Sequence, residues 1–212
     1  MIVPGNSDTS SSQMTEVIFL GNELMNKSPL NCMPEVAYDT ERPVIVLDFK
    51  SLYPSIIIAR NLCFSTLLIR KNDLPPDSVH EGYGPQECYF ASANVKPGVL
   101  PAMLIHLLDE RVKVKNLMKS TTDASQILVL DGRQRAIKVA ANAVYGATGA
   151  PSSKLQCLPI AETTIVAGAK SLTMAKELIE ERYSDVVSVV YGDTDSVFLK
   201  TKAKLSVPDA IE

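Results

Sequence analysis

The sequence predicts an α/β (α+β) protein in which a small antiparallel sheet is backed by helices and carries an inserted helical hairpin. Three observations lead there. Val44–Phe49 (VIVLDF) is a β-branched, apolar run of strand length. Val186–Lys200 (VVSVVYGDTDSVFLK) reads as two strands folded back through an acidic turn. Between them, Leu100–Lys119 and Ser125–Tyr145 repeat apolar residues at helical spacing.

Taken in order, residues 1–41 scatter Gly, Asn, Ser and Pro and are expected to be irregular, with at most a short helix. Val44–Phe49 follows as a buried strand. Pro54 suits the first turn of a helix, which is placed at Pro54–Asn61. Residues 71–97, rich in Pro, Gly and Asp, read as a loop or hairpin excursion. Pro97, Gly98 and Pro101 then punctuate the chain ahead of a helix whose stripe is Leu104, Leu107, Leu108 and Val112. Thr121, Thr122 and Asp123 are candidate caps for the next helix, so the pair forms an antiparallel hairpin. Ala161–Tyr183 is a third helix, and Val186–Lys200 closes the sheet.

Composition narrows the function classes. The formal net charge is -3, which argues weakly against nucleic-acid binding. The sign reverses locally: Arg111, Lys113, Lys115, Lys119, Arg133, Arg135 and Lys138 stand against Asp123 and Asp131. Such a segment is either a solvated helix face or an anion-binding surface. Cys32, Cys63, Cys88 and Cys157 are too far apart in sequence for a zinc pattern and are expected to be reduced thiols. No signal-peptide core and no apolar run of membrane-spanning length are present, so the expectation is a soluble, intracellular protein without a membrane partner.

Asp48 ends an apolar strand, and Asp193 and Asp195 sit at the tip of an apolar hairpin. Carboxylates so placed are costly to desolvate and repel one another. Divalent cations resolve both difficulties, and Mg²⁺ favours a few carboxylates completed by substrate phosphates. Taken alone, Asp193 and Asp195 also read simply as turn residues. On the helical hairpin, Lys138, Asn142 and Gly146 are spaced by four and share a face, as do Arg111, Lys115 and Lys119.

Three segments carry a resemblance. Asp48-Phe49-Lys50-Ser51-Leu52-Tyr53-Pro54-Ser55-Ile56 resembles motif A of the family B DNA polymerases. Lys138-Val139-Ala140-Ala141-Asn142-Ala143-Val144-Tyr145-Gly146 resembles motif B, and Tyr191-Gly192-Asp193-Thr194-Asp195-Ser196 matches motif C. The order is the family's. Lys96-Pro97-Gly98-Val99-Leu100-Pro101 and Leu130-Asp131-Gly132-Arg133-Gln134 are similar to delta-type and large-DNA-virus members. The likeness covers roughly residues 42–200.

The resemblance implies a palm formed by residues 42–97 and 147–212, with fingers at residues 98–146. It implies templated addition of deoxynucleotides to a primer 3′-hydroxyl, with two Mg²⁺ ions for which Mn²⁺ can substitute. Asp48 and Asp195 would bridge both ions, Asp193 would be an outer or conditional ligand, and the Phe49 carbonyl would complete the nucleotide's metal. The N–H groups of Ser51 and Leu52 would meet the triphosphate, with Lys138, Asn142, Arg111 and Lys115; Lys113 and Lys119 read as solubilising charge. Tyr53 would lie under the sugar and exclude a 2′-hydroxyl, although its position also suits a core aromatic.

The implied partners are primer–template DNA, deoxynucleoside triphosphates, a processivity factor and accessory subunits. The implied location is the nucleus for a cellular eukaryotic or nuclear-replicating viral source, and otherwise intracellular. Ala143, Ala147, Pro151-Ser152-Ser153 and Arg60 depart from the family's usual residues, which bears on packing near the nascent base pair. An exonuclease and a thumb are not expected within these residues, so the chain reads as a segment of a longer protein. Two rivals stand beside this reading: an inactive, polymerase-like DNA-binding or architectural module, and another two-metal nucleic-acid enzyme. Intact Asp48, Asp193, Asp195, Lys138 and Asn142 oppose the first, and Tyr53 with motif B opposes the second.

Overall fold

The computed structural model describes residues 16–19, 42–68, 70, 74–84 and 87–204. In chain order its elements are β1 (Glu16–Phe19), β2 (Val44–Asp48), α1 (Leu52–Ala59), β3 (Leu67–Leu68), a 3₁₀ turn (Pro76–Ser78), β4 (Val79–Glu81), β5 (Tyr89–Ala91), α2 (Val99–Ser120), α3 (Ala124–Gly149), α4 (Leu158–Tyr183), β6 (Val187–Asp193) and β7 (Ser196–Thr201). They fall into two compact units, Met1–Lys50 with Ala169–Glu212, and Ser51–Gly168. Cys32 and residues 205–212 lie outside the described residues.

The first unit is a four-stranded antiparallel sheet of order β1-β2-β7-β6. Alternation along β7 buries Val197, Leu199 and Thr201. Val197 and Leu199 pack with Ile179 of α4, and Ile45, Leu47, Leu172, Val187 and Val189 close around them. Full burial of an aliphatic side chain such as Val197 contributes about 1.5–3 kcal/mol. The strand at Glu16–Phe19 corrects the expectation of irregular chain or a short helix there. Four residues show too little periodicity to declare a strand, and pairing with β2 makes it one.

The second unit joins α1, α2 and α3 to a three-stranded sheet of order β3-β5-β4. Residues 71–97, expected as a loop or hairpin excursion, contain the β4–β5 hairpin. Helix α1 begins at Leu52, two residues before the expected Pro54, and ends before Asn61. Its end is a Schellman turn, in which Asn61 takes a left-handed conformation (φ 52°) and the N–H groups of Asn61 and Leu62 donate to the carbonyls of Ile58 and Ile57 at 3.2 and 2.9 Å. The buried Asn61 amide then donates to the Ala91 and Lys96 carbonyls and accepts from the Gly98 N–H, each at 2.8 Å. One amide thereby anchors the chain entering α2.

Asp123 caps α3 as expected, its carboxylate accepting from the Ser125 N–H at 2.9 Å. On α2 the buried residues are Pro101, Leu104 and Val114, whereas Val112, expected in the stripe, is exposed. The seam therefore runs through Leu104, Leu107, Arg111 and Val114, which are three or four residues apart, and this turns Arg111 toward α3. Cys63, Cys88 and Cys157 are free thiols. No helix among the described residues is long and apolar enough to cross a membrane.

Candidate active site

The carboxylates belong to the first unit. Asp48 ends β2 opposite Ser196 of β7, and Ser196 is in turn opposite Asp193 of β6. Ser196 thus has an aspartate on either flank. Its hydroxyl donates to Asp48 Oδ1 at 3.0 Å, which holds that carboxylate in one orientation. The Phe49 N–H donates to the Asp195 carbonyl at 2.8 Å, tying the chain just after Asp48 to the acidic turn.

Register explains why these groups share a face. Val197 and Leu199 point into the α4 core, so Ser196 and Phe198 point to the opposite face, as do their partners Asp48 and Val46. In β6, Val187 and Val189 face the core, and unbroken alternation would send Tyr191 and Asp193 there too. A register shift between Val189 and Tyr191 prevents it. The extra residue, Val190, reverses the phase, so Tyr191 pairs with Phe198 and Asp193 with Ser196. The Tyr191 and Phe198 rings meet edge-on at 5.3 Å. Asp193 therefore owes its face to a bulge.

The turn between β6 and β7 holds Thr194 in the left-handed region, φ 48°. That region is unfavourable for a β-branched residue and costs about 1–3 kcal/mol. The Thr194 hydroxyl donates to Asp193 Oδ1 at 3.0 Å. Asp193 is exposed, and Asp48 and Asp195 are half-buried.

The donor set is all oxygen, which fits a hard divalent cation. Asp48 and Asp193 lie two strand spacings apart, about 9.5 Å. Among the described residues no three His, Cys, Asp or Glu side chains already converge on one point. Asp48, Asp193 and Asp195 would hold such ions with phosphate oxygens of a substrate completing the shell.

In the second unit, Ser51 caps α1 in the left-handed region (φ 52°, ψ 50°), and its carbonyl accepts from the Ser55 N–H at 2.9 Å. Leu52 and Tyr53 follow in the first turn, where N–H groups lack intrahelical acceptors and carry the positive end of the helix dipole. Pro54, the third residue, has no N–H to leave unpaired. The half-buried Tyr53 ring lies 4.5 Å from the Tyr145 ring, tilted by 45°. Burial, and then Tyr53, push the Tyr145 phenol up, which keeps it protonated. A Cβ at Gly168 would stand 3.1 Å from Tyr53 Cε1, so α4 approaches the ring as closely as a glycine permits.

On α3, Lys138, Asn142 and Gly146 are all exposed, and a Cβ at Gly146 would meet nothing within 4 Å. The helical spacing of four thus yields one open face. The other cations differ in what they touch. Lys113 pairs with Glu110 at 2.8 Å, Arg133 approaches the same carboxylate at 3.7 Å, and Arg135 pairs with Asp131 at 2.8 Å. Lys113 holds the Glu110 carboxyl below its usual range. Arg111 and Lys115 are half-buried, and Arg111 Nε donates to Gln134 Oε1 at 3.2 Å. Sequence spacing does not single out Gln134.

Arg60 has a local role. Its guanidinium donates to the Tyr83 hydroxyl at 2.9 Å and the Glu81 carbonyl at 3.1 Å, and lies 4.8 Å over the Tyr83 ring. It secures the end of α1 to the end of β4 and to Tyr83 just beyond it.

Comparison with known proteins agrees with the motifs. The family described as DNA polymerase family B matches residues 34–209. The DNA polymerase delta catalytic subunit of Dictyostelium discoideum is 44% identical over 184 residues, covering 82% of this chain and 16% of that protein. Its counterpart in Schizosaccharomyces pombe is 42% identical over 185 residues (82% and 17%), and that of Arabidopsis thaliana 39% over 170 residues (76% and 15%). The chain spans about a sixth of the length of the curated relatives it matches.

Proposed function

Because the chain belongs to family B of the DNA polymerases, we propose that it is the catalytic segment of a DNA-directed DNA polymerase, extending a primer 3′-hydroxyl with deoxynucleotides chosen by a template. The observation that carries this is the flanking of Ser196 by Asp48 and Asp193, with the Asp195 carbonyl pinned to the Phe49 N–H. Two Mg²⁺ ions, with Mn²⁺ able to replace them, would activate the attacking hydroxyl and stabilise the leaving pyrophosphate. Asp48, Asp195 and the Phe49 carbonyl would hold these ions, with Asp193 as a conditional ligand.

The remaining residues bind and orient the nucleotide. The N–H groups of Ser51 and Leu52 face the triphosphate, and Lys138, Asn142, Arg111 and Lys115 hold it. Tyr53, seated on Tyr145 and Gly168, lies under the deoxyribose. In this reading residues 42–97 and 147–212 act as palm and residues 98–146 as fingers. Primer–template DNA is the macromolecular substrate. Accessory subunits and a processivity factor are partners, a reading supported by relatives that are themselves catalytic subunits. The nucleus is the site of action for a cellular eukaryotic or nuclear-replicating viral source, and the action is otherwise intracellular.

The test is primer extension by the complete protein carrying Asp48→Ala or Asp195→Ala. Extension should fall by several orders of magnitude while primer–template affinity stays within a factor of two, roughly, because only transition-state contacts are removed. Asp193→Ala should be milder and partly rescued by Mn²⁺. Undiminished extension by Asp48→Ala at ordinary Mg²⁺ would refute the assignment. A wild-type protein that binds DNA but never extends a primer would favour an inactive binding module.

A further inference from the structure

We propose that Gln134 is a positioning residue for the triphosphate: it holds the Arg111 guanidinium by Nε and leaves its positive charge uncompensated. The inference rests on the reading of Arg111 as a phosphate ligand.

The geometry is a relay across the α2–α3 hairpin. Arg111 Nε donates to Gln134 Oε1 at 3.2 Å, Gln134 Nε2 donates to Asp131 Oδ1 at 2.9 Å, and Arg135 pairs with Asp131 Oδ2 at 2.8 Å. A side-chain amide has one accepting end and one donating end. With Arg111, a pure donor, on one side and a carboxylate on the other, only one of its two flips makes both bonds. The reverse flip would set donor against donor and acceptor against acceptor. Asp131 therefore orients the amide, and the amide orients Arg111. The bond uses Nε and leaves both Nη groups outside it, and those two groups form the fork that matches phosphate oxygens.

The choice of amide over acid matters as much as the geometry. Glu110 is engaged by Lys113 and Arg133, and Asp131 by Arg135. Both carboxylates are thus engaged by cations other than Arg111. Among the described residues, the side chain that hydrogen-bonds Arg111 is neutral. A glutamate at position 134 would have nearly the same shape and could accept the same Nε–H bond. It would also compensate the charge of Arg111 and so weaken its attraction for a polyanion, and it would face Asp131 with like charge.

The experiment is single-nucleotide incorporation by the complete protein on a primer–template, comparing Gln134→Met, Gln134→Glu and Arg111→Ala with both double variants. Gln134→Met, similar in length but with no strong acceptor, should raise the nucleotide KM roughly tenfold, the scale of one misplaced charge-assisted contact, with primer–template Kd unchanged. Gln134→Glu should raise it at least as much although the acceptor is retained. In the Arg111→Ala background, neither change at Gln134 should matter by more than about twofold. Wild-type KM in both Gln134 variants, beside a raised KM in Arg111→Ala, would overturn this inference alone. So would Gln134 effects that persist in full without Arg111, which would make Gln134 a helix-packing residue. An Arg111→Ala variant with unchanged KM would overturn the phosphate-ligand reading and this inference with it.

Discussion

The sheet of the first unit and the helical hairpin of the second place their charged groups by different means. On the sheet, backbone ladders set Asp48, Ser196 and Asp193 side by side, and short side chains inherit that order directly. On the hairpin, the helical period fixes only which face Lys138 and Asn142 share, and each cation ends a long, mobile stem. There, neighbours decide the outcome: Glu110 occupies Lys113, Asp131 occupies Arg135, and Gln134 holds Arg111. Acids on a sheet are positioned by register, and bases on a helix by the side chains around them.

This contrast predicts that the sheet should break through its backbone and the hairpin through single side chains. The largest effect is expected from deleting Val190, which removes the bulge. Either Asp193 and Tyr191 turn into the α4 core or Val187 and Val189 turn out of it, so primer extension should be lost and the melting temperature lowered. Val190→Ala retains the extra residue and should keep most activity. A deletion variant with wild-type extension and melting would show that the phase shift is not needed.

A smaller effect is expected on the hairpin. If Lys138 makes the proposed charge-assisted phosphate contact, Lys138→Ala should lower kcat/KM for nucleotide by roughly one to two decades, about 1.5–3 kcal/mol, with template affinity little changed. The smallest is expected at Lys113, whose exposed ammonium is already paired with Glu110. Lys113→Ala should leave nucleotide kcat/KM near the wild-type value. Equal losses at Lys113 and Lys138, read in the same steady-state assay, would mean that the hairpin works as a diffuse patch of charge.

Much of this arrangement is legible in the sequence, and the gaps have physical causes. β2, the β6–β7 strands and the two long helices announce themselves through apolar runs and spacing, and Asp123 through its capping chemistry. The bulge does not, because Val186–Val190 is apolar at four of five positions and carries no alternation for an extra residue to disturb. Asn61 reads as the end of an apolar helix. Its left-handed conformation, which asparagine tolerates better than most residues, and its three amide bonds arise only once β5 and the entry to α2 are in place. β1 likewise exists through its partner. Gln134 lies within a basic run where charge draws the eye, and its importance comes from α2 rather than from its own helix.

The proposed sugar-recognising residue, Tyr53, offers the most direct test, because it separates addition of deoxynucleotides from any other chemistry on the same sheet. The Tyr53 ring packs on the Tyr145 ring and close to the bare backbone of Gly168. Single-nucleotide extension with matched deoxy- and ribonucleotides should be measured on the complete wild-type protein and on Tyr53→Val. Relative ribonucleotide use should rise by orders of magnitude in Tyr53→Val while deoxynucleotide use falls only moderately. If Tyr53 were instead a packing residue, its truncation would cost about 3–5 kcal/mol of stability. Use of both sugars would then fall together with unchanged selectivity, and that result would contradict the account.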